Sequence, residues 1–521
     1  MHPQIADAFA RLPDYLGGHV AVSLTALALG LAVSLPLAFA SRRRPVLRNL
    51  LLGFASIVQT IPGLALLALF YPLLLGVAAL TDRMFGASFS ALGFLPSVLA
   101  LALYSMLPVL RNTVAGLDGV DPDVKQAALG VGMTERQSLV MVELPLALPV
   151  IMAGVRTAAV WVIGTATLST PIGQTSLGNY IFTGLQTQNW VFVLFGCVAA
   201  AVLALAVDQL LALIENGLAA RRRFRVAAGA AGIALLTAAA LAPGLSQPKA
   251  AYTIGAKTFT EQYILAALIE QRLRDNGLTA RRREGLGSNV IFDALRAGEI
   301  DVYVDYTGTV WANQLGRSDA KPRAEMLAEI RSDLRERFGI TIMGGLGFEN
   351  AYALAMASSR AKALDIRNIA DLARHAPRMS IAGDYEFFAR PEWAAIRKAY
   401  GLTFRDERQM QPEFMYQAAA TGQVDVISAY TSDGRIALHG LMLLDDPRQA
   451  IPPYDSFLLI ASKRAGDAAL LQALRPLAGA IDASLMREAN RRAIQTSGGG
   501  GTSPEQAARW LWDEIENKAR R

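Results

Sequence analysis

Apolar residues are concentrated in the first 245 positions, where they form runs long enough to cross a membrane. A hydrocarbon core of roughly 30 Å requires about 20 apolar residues in a helix. The pattern therefore predicts about six transmembrane helices. Their expected bounds are His19–Ala40, Leu50–Leu80, Leu92–Leu110, Leu146–Leu168, Trp190–Ile214 and Val226–Leu241. The second run contains two prolines and is expected to be kinked or tilted.

From Tyr252 onward, short strand-like runs alternate with amphipathic helical stretches. Tyr252–Gly255 has the pattern of a first strand, and Phe259–Leu273 has that of the helix after it. This alternation predicts an α/β domain. We therefore expect a transmembrane domain over residues 1–244, a linker over 245–251 and a soluble domain over 252–521.

Composition and charge support a membrane protein rather than a nucleic-acid-binding one. The chain is 53% hydrophobic and 18% charged, and its net charge of +6 comes largely from Arg clusters beside apolar runs. Four cations follow the first run, three lie between the third and fourth, and four between the fifth and sixth, whereas Arg11 and Arg83 are alone in the other segments. By the positive-inside rule, the three basic loops are cytoplasmic, so the N-terminus and the soluble domain are expected outside.

Cofactor and catalytic signals are scarce in this chain. A single cysteine, Cys197, excludes an internal disulfide framework, and four scattered histidines do not suggest a metal centre. The sequence has neither a phosphate-binding Gly-x-x-x-x-Gly-Lys-Ser/Thr loop nor a Gly-x-Ser-x-Gly nucleophile elbow. We therefore expect no enzyme, no resident cofactor and no ATPase within this chain.

Two ionisable residues lie inside apolar runs. Arg156 is eleven residues past Pro145, which places it about 16 Å along the helix, and Asp208 lies at a comparable depth in the fifth run. Charges inside a bilayer are costly and usually face a partner or an aqueous path. A structural ion pair is favoured over a substrate contact, and both interpretations stay open.

A polar interruption separates two apolar runs at residues 116–149. Asp121 followed by Pro122 is typical of a helix start. Thr134 with Gln137 has the spacing of a capping box. The segment predicts two short helices joined by a glycine elbow, the second ending before Pro145, although a plain amphipathic cytoplasmic loop is also compatible with the pattern.

This interruption resembles the coupling loop of ABC-importer permeases. Ala-Ala, a glycine and Leu-Pro stand at the family's spacing, while Gln126 replaces the usual Glu and Val142 the usual Ile. The resemblance implies a type I permease-like, all-α polytopic domain that engages a separate dimeric ATPase, with a second copy of the chain completing the pathway and ATP bound at the partner. The implied coupling residues are Gln126, Ala127, Ala128, Gly132, Leu144 and Pro145.

The soluble half resembles the substrate-binding proteins of osmoprotectant ABC importers. The matching stretches are Gly255–Leu265, Ser288–Thr309, Glu349–Ala355, Asp425–Ile436 and Pro452–Ser456. The resemblance implies a two-lobed periplasmic-binding-protein fold, type II-like. Lobe one would comprise about 252–347 with 453–521, and lobe two about 348–452.

The family binds quaternary amines, which have no N–H to donate and are held by aromatic faces, each contact contributing about 0.5–2 kcal/mol. By this resemblance the cage residues are Tyr306, Tyr352, Tyr430 and Tyr454. A ligand carboxylate would be bound by Lys257, Thr309 and Arg390, although Arg390 is also compatible with a solvated surface position. Asn350, where the family often has Asp, would contribute its backbone carbonyl.

Together these features predict the permease and binding subunit of an importer for glycine betaine, choline, carnitine or proline betaine, in the inner membrane. Retention of Lys257 and Arg390 favours zwitterions of the betaine type over choline. Two alternatives stay open: a membrane-bound sensor of the same ligands without transport, and an importer of another small cation or an amino acid.

Overall fold

A computed structural model describes residues 3–42, 44–85, 89–187, 189–245, 250–317, 319, 321–384, 387–494 and 502–520. Arg43 of the first basic cluster and positions 246–249 of the expected linker lie outside these residues. The chain divides into two compact units. The helical unit comprises Met1–Phe182 and Val191–Gln247, and the α/β unit comprises Thr183–Trp190 and Pro248–Arg521.

Long apolar helices dominate the first 245 residues. The described residues include six helices that are long and apolar enough to cross a membrane, which agrees with the number predicted from the sequence. They cover Gln4–Ser41, Gly63–Phe85, Phe94–Asp118, Glu135–Ile172, Trp190–Ala219 and Arg223–Ala242. The helices are α1 Pro3–Ser41, α2 Pro45–Thr60, α3 Gly63–Phe85, α4 Phe94–Asp118, α5 Pro122–Gly130, α6 Glu135–Ser138, α7 Leu144–Thr165, α8 Gly178–Gln186, α9 Trp190–Ala219 and α10 Arg223–Leu245.

The expectation of one kinked helix over Leu50–Leu80 is wrong. The chain forms two helices there, α2 and α3, separated at Ile61, which has the extended dihedrals φ −74° and ψ 127°. Pro62 explains the break, because a proline disfavours the helical conformation of the residue before it. Pro72, by contrast, lies inside α3 without ending it.

Helix α4 is central to the helical unit and packs against both α1 and α7. Small residues permit this close approach. A Cβ added at Gly30 of α1 would lie 1.8 Å from Oγ of Ser105 on α4, and one at Gly154 of α7 would lie 2.6 Å from Cβ of Asn112. Close backbone contact through glycine is the usual means of helix association in membranes.

The α/β unit contains two five-stranded sheets of the same design. The first has the order β2-β1-β3-β10-β4 and the second the order β7-β6-β8-β5-β9. In each sheet three strands run parallel, and the next strand pairs antiparallel to its neighbours. The strands are β1 Tyr252–Lys257, β2 Ala280–Leu286, β3 Val302–Tyr306, β4 Thr341–Glu349, β5 Tyr352–Ala357, β6 Ser380–Gly383, β7 Asp406–Gln409, β8 Val426–Tyr430, β9 Leu441–Leu444 and β10 Asp455–Ile460.

Helices flank both sheets and bury their apolar strands. Strands β1 and β3 are buried at every residue, as expected for parallel strands covered on both faces. The helices of this unit are α11 Thr260–Asp275, α12 Ser288–Arg296, α13 Thr307–Thr309, α14 Arg323–Phe338, α15 Ser358–Ala363, α16 Ile369–His375, α17 Pro391–Tyr400, α18 Pro412–Ala420, α19 Arg435–Leu438, α20 Ala468–Leu474, α21 Ala483–Ala493 and α22 Pro504–Arg520.

The chain passes between the sheets twice, at residues 350–351 between β4 and β5 and at residues 445–454 between β9 and β10. The two crossovers are joined where the Asn350 amide donates to the Tyr454 carbonyl at 3.0 Å. The first sheet with its helices is called lobe one here, and the second lobe two. Both crossovers bring candidate ligand-binding side chains to the boundary between the lobes.

Candidate ligand-binding site and coupling loop

A cavity of about 290 Å³ lies between the two lobes of the α/β unit. Parallel strands of both sheets end at this cavity: Lys257 ends β1, Tyr306 ends β3 and Tyr430 ends β8. Ligands of open α/β sheets typically bind at the carboxyl ends of strands. The eight residues that the sequence resemblance assigns to the ligand all line this cavity: Lys257, Tyr306, Thr309, Asn350, Tyr352, Arg390, Tyr430 and Tyr454.

The four predicted cage tyrosines lie close together. The Tyr352 ring is 4.8 Å from that of Tyr430 and 5.6 Å, edge to face, from that of Tyr454. Phe259 connects this group to Tyr306, because its ring lies 6.2 Å from both Tyr306 and Tyr430 and is parallel to Tyr430 within 5°. The rings come from both lobes, so their electron-rich faces can surround one cationic group.

Lys257 reaches the cavity but already holds a counter-ion. Its Nζ lies 2.5 Å from Oδ1 of Asp305, and both side chains are almost completely buried. The ammonium is also 5.5 Å from the centroid of the Tyr306 ring. A ligand carboxylate at Lys257 would therefore share the cation with Asp305.

Arg390 is buried rather than solvated, which excludes the surface position that the sequence left open. Its guanidinium donates to both oxygens of Glu392, at 3.1 and 3.0 Å, and to the Tyr454 hydroxyl at 2.8 Å. Burial acts to lower its pKa, but Tyr352, Tyr454 and Glu392 outweigh burial and raise the pKa above the ordinary value. Arg390 thus stays cationic and fixes the Tyr454 ring.

Asn350 contributes more than the backbone carbonyl assigned to it. Its side-chain Nδ2 donates to Oε1 of Glu261 at 3.1 Å, and its backbone amide joins the two crossovers. The residue is 4% exposed, so these contacts lie in the interior. Position 350 therefore connects the region between the lobes to a carboxylate that the sequence analysis did not single out.

Several other cavity residues were missed from sequence. Phe259 and Glu261 stand inside the matched stretch Gly255–Leu265, and their local sequence does not mark them as ligand contacts. Asn490 lies on α21, far from every matched stretch, and carried no sequence signal. The remaining missed lining residues with charged side chains are Asp384, Asp433 and Arg435.

Asp433 and Arg435 form a buried ion pair at the cavity wall, with Nη2 2.6 Å from Oδ2. Burial acts to raise the pKa of Asp433, yet the Arg435 guanidinium holds it below the ordinary value. Asp384 accepts from the Phe387 amide at 2.6 Å and from the Tyr430 hydroxyl at 3.2 Å. Among the described lining residues and their ion-pair partners, three cations stand against five carboxylates, a formal net charge of −2.

The predicted coupling loop has the capping geometry expected from its sequence. The Asp121 side chain accepts from the Asp123 amide at 2.8 Å to start α5. Thr134 and Gln137 form the capping box. Gly132 has φ +87°, a conformation that glycine adopts without strain, and it makes the elbow.

The expected end of the second loop helix before Pro145 is wrong. Helix α6 continues through a π-helical turn, Leu139–Glu143, directly into α7. Because Pro145 lacks an N–H and stands in the first turn of α7, the wider turn before it accommodates the lost hydrogen bond. The loop therefore consists of one short helix and the beginning of a membrane-length helix.

Glu143 connects the parts of this loop although it is only 1% exposed. Its Oε1 accepts from Nη2 of Arg42 at 2.9 Å and from Oγ of Ser138 at 3.3 Å. Nζ of Lys125 on α5 is 4.0 Å from Oε2. Outside this contact, α5 presents Gln126 and Ala127 to solvent, together with the apolar side chains of Val124 and Leu129.

The charges inside the apolar runs form a structural cluster. Arg156 on α7 donates to both oxygens of Asp208 on α9, each at 2.8 Å, and to Glu215 at 3.0 Å. Such fork-like geometry is the strong form of an Arg–carboxylate contact. The predicted pairing of Arg156 with Asp208 is confirmed, and Glu215 is a third member that the sequence analysis missed.

Membrane-length helices and a two-lobed domain with an aromatic cavity are the two parts of a binding-protein-dependent transport component. The chain belongs to the ABC-importer family that joins both parts. Residues 250–514 match the family model OpuAC, "Substrate binding domain of ABC-type glycine betaine transport system". Residues 30–220 match "Binding-protein-dependent transport system inner membrane component". It is thus a multi-pass membrane permease fused to a substrate-binding domain, and this class works with an ATPase and a small-molecule ligand.

Individual relatives share one or both parts. The chain is 28% identical over 429 residues to the "Ergothioneine transport permease/ergothioneine binding protein EgtU" of Helicobacter pylori (strain G27), covering 79% of this chain and 74% of that protein. It is 40% identical over 200 residues to the "Glycine betaine/carnitine/choline transport system permease protein OpuCB" of Bacillus subtilis (strain 168), covering 38% and 85%. A crystal structure of a "glycine betaine/carnitine/choline ABC transporter" is 25% identical and covers 51% of this chain and 98% of that one, with a TM-score of 0.45.

Proposed function

We propose that this chain is the permease and binding subunit of an ATP-driven importer of quaternary-ammonium solutes, with the ligand held in the cage of Tyr306, Tyr352, Tyr430 and Tyr454. The observation that carries the proposal is the convergence of these rings, with Phe259, on one cavity. A formal charge of −2 among the described groups favours a cation there. Glycine betaine, choline and carnitine are the first ligands to test.

The proposed cycle follows from the two units. The binding domain captures ligand outside the cell, and the lobes close around it. A separate ATPase dimer grips α5, and a second copy of this chain completes the pathway. The exposed face of α5 supports this assignment, because Val124 and Leu129 are apolar and exposed there. In this proposal the basic loops and α5 are cytoplasmic.

In the proposal Lys257, Thr309 and Arg390 bind a ligand carboxylate, which shares each of the two cations with a carboxylate of the protein. The pairs with Asp305 and Glu392 reduce the attraction that either cation offers to an added carboxylate. Thr309 lines the cavity beside them. In the proposal the ammonium group is held by the tyrosine faces, and Arg390 also holds the Tyr454 ring in place.

A larger ligand of the same class is the second candidate. One relative that spans both parts of the chain is named for ergothioneine. Ergothioneine is a trimethylammonium betaine with an imidazole-thione ring, so the same aromatic cage suits it. We include it among the ligands to be compared.

The test is calorimetry on the full chain in lipid nanodiscs, with the double variant Tyr306→Ala/Tyr430→Ala. Loss of two cation–π contacts is expected to weaken binding about 10–1000-fold. Tyr400→Ala is the control, because Tyr400 is buried on α17 and does not line the cavity. Unchanged affinity in the double variant would refute the cage.

Transport is tested separately from binding. Uptake of radiolabelled ligand into vesicles is expected only when the ATPase and ATP are both present. Ligand binding without uptake in the complete system would favour the sensor alternative. Binding of an amino acid but of no quaternary amine would favour a different cargo.

A further inference from the structure

Glu261 lies in the first turn of α11 and lines the cavity, although it is only 3% exposed. Its Oε1 accepts from the Tyr306 hydroxyl at 2.5 Å and from Nδ2 of Asn350 at 3.1 Å. Its Oε2 accepts from Nδ2 of Asn490 at 3.1 Å, and Ser432 adds a further hydrogen bond. Within the described ranges the donors to this carboxylate are all neutral.

The two asparagines have a fixed orientation. An ionised carboxylate only accepts hydrogen bonds, so each amide must turn its NH₂ group toward Glu261. Asn490 is fixed further because its Nδ2 also donates to the Ser432 carbonyl at 2.8 Å. Their amide oxygens, Oδ1 of Asn350 and Oδ1 of Asn490, are buried and accept no hydrogen bond from any described residue.

This arrangement is unusual for a protein interior. Buried polar atoms are normally paired, and a buried acceptor without a donor is destabilising. Burial, helped by nearby Asp433, raises the pKa of the Glu261 carboxyl to about 6. The hydrogen bonds from Ser432, Tyr306 and Asn490 act in the other direction and lower the pKa. At neutral pH the group is therefore mostly ionised. A donor that the protein does not supply would stabilise this cluster.

We propose that Glu261, Asn350 and Asn490 form an acceptor subsite beside the aromatic cage, which selects quaternary-ammonium ligands that also carry an O–H or N–H donor. The inference rests on the proposed function, because it takes the ammonium group to be in the cage. Choline and carnitine have a hydroxyl donor, and an imidazole-bearing trimethylammonium has an N–H. Glycine betaine as a zwitterion has neither.

The first experiment compares choline with n-propyltrimethylammonium, which has a methyl group in place of the hydroxyl and the same charge. Calorimetry is performed on the full chain in nanodiscs at pH 7.5. Choline is expected to bind about 10–100-fold more tightly, because a site built for a donor rejects an analogue that lacks it. Equal affinities would overturn the subsite while leaving the cage intact. Failure of choline, n-propyltrimethylammonium, glycine betaine and carnitine alike to bind would refute the proposed function instead.

The second experiment uses Glu261→Gln, which keeps the shape of the side chain and removes its charge. The preference for choline over n-propyltrimethylammonium is expected to fall to within about threefold. Glu270→Gln is the matched control on the same helix, since Glu270 contacts Arg274 and Arg282 and does not line the cavity. A retained preference in Glu261→Gln would contradict the assignment. If that variant does not fold, the ligand pair on the unmodified chain still decides.

Discussion

In the helical unit, Glu143 and Asp208 each accept a hydrogen bond from an arginine, Arg42 and Arg156 respectively. In the α/β unit, Glu261 accepts hydrogen bonds from Tyr306, Asn350 and Asn490, which are neutral hydroxyl and amide groups. The negative charge of a carboxylate with an arginine partner is neutralised within the protein. The negative charge of a carboxylate held by neutral donors is not neutralised, so a cationic ligand can neutralise it. The comparison separates acids that maintain the fold from an acid that is available for recognition.

The largest effect is expected for Arg156→Leu. The change removes the cation from Asp208 and Glu215 and leaves two uncompensated carboxylates between α7 and α9. Breaking a buried pair by removing one partner typically costs 3–5 kcal/mol, and because these side chains are only partly buried we expect a loss at the lower end, about 3 kcal/mol, in the free energy of unfolding. Thermal unfolding of the purified chain in detergent measures it. The triple variant with Asp208→Leu and Glu215→Leu should recover part of the loss, whereas an Arg156→Leu variant as stable as the wild type would show that this cluster does not stabilise the fold.

A smaller loss of about 1.5–3 kcal/mol is expected for Glu143→Gln, because hydrogen bonds to charged groups are worth that much. The matched control is Asp118→Asn, which removes an exposed pair with Arg48 at 2.8 Å. Exposed pairs contribute about 0–1 kcal/mol. The same thermal assay compares both variants, and equal effects would show that burial of Glu143 does not matter.

For Glu261, in contrast to Glu143 and Asp208, ionisation is expected to destabilise the fold, so its effect on the free energy of unfolding depends on pH. Its folded-state pKa of about 6 lies above the ordinary 4.5, so the folded chain binds the proton more tightly than the unfolded chain does. Stability from this group is complete below about pH 4.5 and is lost as the pH rises through about 6. The difference amounts to about 2 kcal/mol.

Denaturant unfolding at several pH values measures this effect as the difference between the wild type and Glu261→Gln. The charged groups facing Glu261 are Asp433, with Arg435 beyond it, and Lys257 beside Tyr306. These groups are unchanged in the variant, so the difference isolates position 261. Parallel pH profiles for the two proteins would show that the carboxylate does not titrate in this range.

The smallest effect is expected for Gln126→Glu, which places an acid on the exposed face of α5. An exposed charge pair contributes about 0–1 kcal/mol, so ATP-driven uptake should change by less than about fivefold. Vesicle uptake with the ATPase partner measures the ratio. A larger change would show that acidity matters at this surface as well as in buried positions.

Local signals made much of the architecture predictable. Membrane-length runs, the Asp121 and Thr134 caps and the alternation after Tyr252 each depend on neighbouring residues. The errors occurred where a proline had two possible effects. Pro62 ends a helix, whereas Pro145 is tolerated next to a π-helical turn, and the sequence alone does not distinguish these outcomes.

The candidate site was predictable only in part, because some of its contacts join segments that are distant in the chain. Tyr306 and Tyr430 end parallel strands, so resemblance and topology both indicate them. The environment of Glu261 is assembled from α11, β3, the first crossover and α21, which are distant in the chain. Whether a carboxylate meets an arginine or an amide is a property of that assembly, and no spacing in the sequence encodes it.

The hydrogen bond between the Asn350 amide and the Tyr454 carbonyl has a consequence for the order of events during capture. The two crossovers that this bond joins are the chain connections between the sheets, so a rotation of one sheet against the other is expected to hinge there. Asn350, Tyr352 and Tyr454 lie in or next to these crossovers and are expected to move least, whereas Phe259, at the N-cap of α11 in lobe one, lies outside them and is expected to move more. A ligand is therefore expected to contact Tyr352 and Tyr454 first, and Phe259 is expected to reach the ligand only when the lobes close.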